Sequence, residues 1–264
     1  CIHDLSGVGR CSLTVIMPIL SAMGVQACPV PTAILSTHTG GFGEVAFQDL
    51  TDYLPQALSH YQRLNLDFSC VYSGFLGSEA QIDHCLAFFQ AYPDALAVVD
   101  PVMGDHGRAY RTVTEGMRRR MIELVGIADI ISPNLTEACY LLNIPYPGED
   151  YTRADIQHIL TELGKLGCAQ VVLTGVSLEP GRLGVMAYDT KNKTFFEYDN
   201  EKMPSNFHGT GDVFASVMVG AMMRGCSLAD ALRLAVDFTL ESIRKTVADP
   251  EHRWYGVNFE EAIP

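Results

Sequence analysis

The sequence predicts an α/β fold: a doubly wound, mostly parallel central sheet flanked by helices on both faces, with a C-terminal antiparallel hairpin at the sheet edge. Short apolar, β-branched runs alternate with longer segments of helical period. Polar and glycine residues gather where those runs end, and the last two β-like runs flank a turn instead of a helix.

Taken in order, the chain opens on a strand followed by "HDLSGVGR", and a helix is expected from Leu13 to Met23, with Ser12 as its N-cap and Gly24 closing it. The run at 27–35 ends in "STHTGGFG" and precedes a helical segment from Asp52 to Leu64. The run at 68–76 contains "SGF" and leads to a helix over Glu79 to Tyr92. The run at 95–103 ends in "DPVMGD", and Thr114 to Val125 follows with helical spacing. The run at 128–134 passes through "PNLTE" into a helix from Thr136 to Leu142. Thr152 and Asp155 form a capping-box pattern for Arg153 to Leu166, which Gly167 ends. The sixth run, 169–176, carries "TG" at its end. "GRLGVMAYD" and "KTFFEYD" around "TKNK" then read as the hairpin, and the final helices run from Asp212 to Met223 and from Leu228 to about Lys245. No repeat, low-complexity tract or linker interrupts this, so a single domain over 1–264 is expected.

Composition narrows the function. Of 264 residues 48% are apolar and 19% charged, as in a folded enzyme. The net charge of −13 argues against nucleic acid or an anionic membrane as partner, since both need a basic face. Arg118, Arg119 and Arg120, the one basic cluster, read as a solvated helix face. The eight cysteines form no CxxC pair and read as reduced, mostly buried thiols, which with no visible signal peptide or spanning segment points to a cytoplasmic protein. A chain starting at Cys1 is expected to lack its first residues.

Three segments carry chemistry. In "FHGTGDVFASVMVGAMMRG" a glycine-flanked loop becomes an apolar helix, so unpaired N–H groups of Gly209, Thr210 and Gly211 can hold an anion that Asp212 faces. In "VVDPVMGD" Asp100 and Asp105 offer two carboxylates near one strand end, which suits a hydrated Mg²⁺. In "SPNLTEACYLL" Asn134 and Glu137 fit a capping box equally well as a metal and phosphate site, and spacing does not choose between them. No GxxxxGK[ST] loop is present.

In this order and at these separations, DPVMGD, NxxE and GTGD resemble the ribokinase-like superfamily, most closely its vitamin kinases. The resemblance implies that Gly209, Thr210 and Gly211 form the anion hole and that Asp212 is the general base. It further implies that Asn134 and Glu137 organise Mg²⁺, that Asp100 and Asp105 face the metal and triphosphate, and that Thr174 and Gly175 contact the nucleotide. ATP and Mg²⁺ are the implied cofactors, with a requirement for a monovalent cation such as K⁺ left open. The loop from Asp105 to Thr112, with Arg108 and Tyr110, is either a cover for the triphosphate or a plain surface loop.

The substrate loops are similar to those of pyridoxal kinases. "STHTGGFG" resembles their NHTG-type loop and sets His38 and Thr39 against a pyridine ring; Ser6 matches the serine at the ring's polar edge, and Phe75 stands where a tyrosine is common. The resemblance thus implies ATP-dependent phosphorylation of the 5′-hydroxymethyl group of pyridoxal, pyridoxine or pyridoxamine by a homodimer. Two departures matter. "DLSGVGRCSLT" is closer to hydroxymethylpyrimidine kinases, whereas the thiamin-pathway enzymes often carry cysteine where this chain has Asp212. A hydroxymethylpyrimidine kinase and a noncatalytic vitamin or nucleotide binder are the alternatives. Sugar kinases usually insert a β lid, and none is evident after Met23.

Overall fold

Valine- and isoleucine-rich segments pair in parallel wherever a helix returns the chain across the sheet, and antiparallel where only a turn intervenes. The computed structural model, which describes residues 1–204 and 207–263, contains a nine-stranded sheet and eight α-helices. β1 (Ile2–Val8), β2 (Val30–Thr37), β4 (Cys70–Ser73), β5 (Leu96–Val99), β8 (Ile130–Ile131) and β9 (Gln170–Val176) run parallel. β3 (Phe47–Asp49) adds antiparallel to β2, and the expected hairpin, β10 (Arg182–Asp189) with β11 (Thr194–Glu201), extends the other edge antiparallel to β9.

The spatial order is β3-β2-β1-β4-β5-β8-β9-β10-β11. The chain winds outward from β1 in one direction to β2 and then returns to place β4 on its other side. The winding therefore reverses between β1 and β4, and a crevice opens beyond the carboxyl ends of strands at such a point. One face of the sheet is covered by α2 (Tyr53–Arg63), α3 (Glu79–Ala91), α4 (Glu115–Val125), α5 (Leu135–Leu142) and α6 (Arg153–Gly164). α1 (Leu13–Ala22), α7 (Thr210–Met223) and α8 (Leu228–Ala248) cover the other. α1 and α7 pack closely because Gly220 leaves room for the Met23 side chain, which a Cβ there would strike.

Local chemistry explains most boundaries. Ser78, Thr114, Thr152 and Ser227 each accept an N–H from the first turn of their helix, and Thr152 with Asp155 completes the expected capping box. Gly24 has φ +75°, as a helix-ending glycine should. Other expectations are corrected. α6 ends at Gly164 with Lys165 as its cap, before Gly167. β1 continues to Val8, so "HDLSGV" is strand and not the loop after it; its polar side chains lie inside the sheet. Ser12 stands at the N-cap position of α1 but its side chain caps nothing; with φ +58° it turns its backbone elsewhere. The Asp105–Thr112 loop contains part of a small hairpin, β6 (Gly104–Asp105) and β7 (Arg108–Ala109), around His106 and Gly107 at φ +48° and +74°. β3 is exposed and only three residues long, too short to show a pattern.

Gln81 braces the β2 edge. Completely buried, it donates from Nε2 to Thr32 O (2.9 Å), Asp49 Oδ1 (3.1 Å) and Thr51 Oγ1 (3.0 Å), and accepts from Gly77 N (2.7 Å). Gln81→Leu would leave the half-buried Gly77 N–H without its acceptor and take one of two donors from the Thr32 carbonyl, which keeps the Leu50 N–H, at a cost of about 1–3 kcal/mol. Urea unfolding followed by circular dichroism is expected to show that loss with an unchanged m-value.

Candidate active site

The α7 start is built by glycine and a long-range backbone contact. Gly209 is the N-cap at φ +79°, and a Cβ there would run into the Arg10 carbonyl, so no other residue fits this turn. Gly209 has no side chain to cap the helix, and among the described residues no side chain caps the first N–H groups of α7. Asp212, on the first turn, has one oxygen tied back to the loop before α1: the Ser12 N–H donates to Asp212 Oδ2 at 2.7 Å. The positive φ of Ser12 aims that N–H.

Behind Asp212 lies a buried ionic chain. His3 Nε2 sits 3.3 Å from Asp212 Oδ1, an ion-pair separation without a hydrogen bond among the described residues, while Nδ1 lies 2.9 Å from Asp4 Oδ1 and 3.0 Å from the Asp4 backbone N. Ser6 Oγ donates to the other Asp4 oxygen at 2.8 Å. Burial works against the imidazolium, but the carboxylates on both sides prevail and raise the His3 pKa to about 10. Burial likewise opposes ionisation of Asp4, yet His3 holds its carboxyl below the usual range.

Across the crevice, Asn134 and Glu137 form the capping box of α5. Glu137 Oε2 accepts from Asn134 N (2.8 Å) and Oε1 from Met103 N (3.0 Å), while Asn134 Nδ2 donates to Gly104 O (2.8 Å). Burial, reinforced by Asp100, pushes Glu137 well above the ordinary glutamate range. Asp100 is buried, and its carboxylate has no hydrogen-bond or ion-pair partner among the described residues. Burial first and Asp212 second raise its pKa to about 7. Ser132 Oγ, also buried, is without a partner among the described residues. A buried carboxylate and a hydroxyl left unpaired, beside Glu137, make a hard-oxygen donor set that fits a hydrated Mg²⁺, although no cluster of three metal-binding side chains occurs among the described residues.

These groups line one cavity of about 760 Å³. Of the residues expected from sequence, it brings together Ser6, His38, Thr39, Phe75, Asp100, Asn134, Glu137, Thr174, Gly209, Gly211 and Asp212. Asp105, Gly175 and Thr210 are not in its wall. Asp105 is exposed on the β6 end and accepts the His106 N–H at 2.8 Å; Gly175, at φ +71°, is the extra residue of a bulge between β9 and β10; the Thr210 hydroxyl turns to the Phe207 carbonyl. Arg108 on the small hairpin, with Tyr110 and Arg111 just after it, also lines the cavity.

The end of the cavity nearest β2 is aromatic. His38 packs against Phe42, His208 and Trp254 at centroid distances of 4.9, 4.7 and 6.1 Å. Its Nδ1 accepts from Gly40 N and its Nε2 donates to Tyr255 O, which fixes a neutral tautomer; burial and then His208 lower its pKa. With both nitrogens used, His38 can offer a ligand its ring face only. Sequence reasoning missed His3, Asp4, Ser132 and His208. The adjacent His3 and Asp4, polar in a strand core, were the available signal.

The Asp100 shift has a consequence for stability. Its folded pKa, about 7, exceeds the unfolded value of about 4, so the folded state binds the extra proton across that interval and stability falls as pH rises through it. Asp100→Asn in nucleotide-free protein is expected to flatten that decline, so that the variant melts at or above the wild-type temperature at pH 8 but gains nothing at pH 4.

Comparison with known proteins agrees with this geometry. A crystal structure from Bacteroides thetaiotaomicron, of a protein provisionally described as a phosphomethylpyrimidine kinase and crystallised with pyridoxal, superposes at a TM-score of 0.93; it is 40% identical, over 99% of this chain and 92% of that one. Pyridoxal kinase from Lactobacillus plantarum superposes at 0.92 and is 32% identical, over 99% and 93% of the two chains. The chloroplastic thiamine biosynthetic bifunctional enzyme of Arabidopsis thaliana is 28% identical over 84% of this chain, which spans only 42% of that protein's length. The phosphomethylpyrimidine kinase family model matches residues 17–254. The fold is ribokinase-like, and the chain belongs to the phosphomethylpyrimidine kinase family of phosphotransferases, among which it is similar to pyridoxal kinases.

Proposed function

We propose that this chain transfers the γ-phosphoryl group of ATP to the 5′-hydroxymethyl group of pyridoxal, pyridoxine or pyridoxamine. The observation that carries this reading is the Asp212 carboxylate at the N-terminus of α7, beside N–H groups free for an anion and at the wall of a cavity with an aromatic end. The acceptor ring lies at that end, against the face of His38 and against Phe75, with the Ser6 hydroxyl at its polar edge. Asp212 accepts the proton of the acceptor hydroxyl, and the N–H groups of Gly209 to Gly211 hold the phosphoryl group as charge develops on it. Arg108 and Arg111, which line the same cavity, add positive charge for the nucleotide phosphates.

Asp100, Glu137 and Ser132 would hold Mg²⁺, which when bound neutralises charge on the triphosphate. The neighbour crystallised with pyridoxal and the pyridoxal kinase of Lactobacillus plantarum support a vitamin B6 acceptor. The same reading includes one domain over residues 1–264, a cytoplasmic setting and a homodimer; Ile34 and Phe47, exposed at the β2–β3 edge, are compatible with a second copy packing there. A hydroxymethylpyrimidine acceptor is the second reading, supported by the description of the family model and by the Arabidopsis enzyme.

ADP release measured with each B6 vitamer and with hydroxymethylpyrimidine separates the two: turnover of a vitamer is expected to dominate, and dominance of the pyrimidine would overturn the choice. Asp212→Asn is expected to lower kcat by about 10²–10⁴ with nucleotide affinity nearly unchanged. Full activity in that variant removes the base assignment.

A further inference from the structure

Phosphoryl transfer at Asp212 leaves unexplained why a cation is buried directly behind it. His3 is 2% exposed, on the second residue of β1, and its place is cut to shape: a Cβ on Gly74 would collide with the imidazole. Asp4 anchors the Nδ1 side at 2.9 Å and is itself fixed by Ser6, so the ring cannot turn away. The Nε2 side meets Asp212 Oδ1 at 3.3 Å, while Asp212 Oδ2 takes the Ser12 N–H at 2.7 Å. A carboxylate on a helix's first turn can ordinarily rotate about its side-chain bonds; here one oxygen takes the Ser12 N–H and the other faces the His3 ring at ion-pair distance, without a hydrogen bond to Nε2 among the described residues.

On the reading that Asp212 is the base, we propose that His3, held by Asp4, is the positioning residue of the reaction: it pairs with the Asp212 carboxylate from behind and fixes its orientation toward the cavity. The charges around His3 make this necessary. Asp4 on β1, Asp212 on α7 and Asp100 after β5 are the acids of the cluster, and Tyr72 on β4 and Cys11 before α1 are its other titratable groups, both pushed toward their neutral forms by burial and then by these acids. His3 is the cation among them. Its pKa, about 10, means the charge is present throughout the neutral range and is lost only as pH rises through that value.

His3→Gln keeps a side-chain amide near the same place and removes the charge. It is expected to lower kcat by about 10- to 1000-fold and to change the KM values by less than about 3-fold. In an Asp212→Asn background the same change is expected to cost nothing further, because there is no longer a base to orient. Equal losses in both backgrounds, or a loss expressed mainly in KM, would overturn the proposal while leaving the base assignment in place. Full activity of Asp212→Asn would remove both. Nitrogen-15 NMR of the imidazole in ligand-free protein tests the charge without turnover: wild-type His3 is expected to be doubly protonated at pH 8 and to become neutral at a lower pH in Asp212→Asn than in wild type. A neutral wild-type ring at pH 8 contradicts the proposal, including in the event that His3→Gln does not fold. Asp4→Asn, which frees the ring but keeps it, is expected to show a smaller loss of kcat in the same direction, and full wild-type kcat in that variant would deny Asp4 its anchoring part.

Discussion

The contact between Asp212 and the Ser12 N–H joins two helices that lie 200 residues apart in sequence, and the geometry of the crevice follows from it. α7 can begin where it does because Gly209 accepts a left-handed backbone against the Arg10 carbonyl. α1 can begin beside it because Ser12 gives up its capping role to turn its N–H outward. The packing of Leu20 and Met23 against Gly220 then holds the two helices together at the far end of α1. A buried helix start with open N–H groups and a restrained carboxylate results, on the side of the sheet where the winding reverses.

Charge is the second constraint. Asp4, Asp100, Glu137 and Asp212 converge on one cavity, and burial resists ionising all of them at once. The protein resolves this unevenly. Asp4 is paired with His3 and lies low; Asp100 and Glu137 lack a cation and lie high. Such a division gives the acids different roles. Asp100 and Glu137 are ready to hold a divalent ion that brings its own charge, while Asp4 and Asp212, with His3 between them, keep a carboxylate in place for a proton.

Features set by a few neighbouring residues were legible in the sequence. The Thr152–Asp155 box, the Asn134–Glu137 box, the hairpin of β10 and β11 and the helix beginning at GTGD follow from local spacing, and each appears in the structure. For Asn134 and Glu137 the choice between cap and cavity wall proves unnecessary, since the cap itself places both there. What local pattern could not reveal depends on distant partners. Ser12 resembles a cap in sequence because its competing partner, Asp212, is far away along the chain. His3 and Asp4 read as loop because strand β1 is polar where it enters the crevice. Asp105 resembles a second site carboxylate by spacing, but the turn at His106 and Gly107 faces it outward.

The central claim, that the start of α7 holds the phosphate and Asp212 meets the acceptor alcohol, is tested most directly by a crystal structure with a nonhydrolysable ATP analogue and pyridoxal bound together. The account predicts the hydroxymethyl oxygen at about 3 Å from an Asp212 oxygen, with the terminal phosphate on the N–H groups of Gly209 to Gly211. Pyridoxal seated elsewhere, or its hydroxymethyl directed away from Asp212 with both ligands in place, would contradict it.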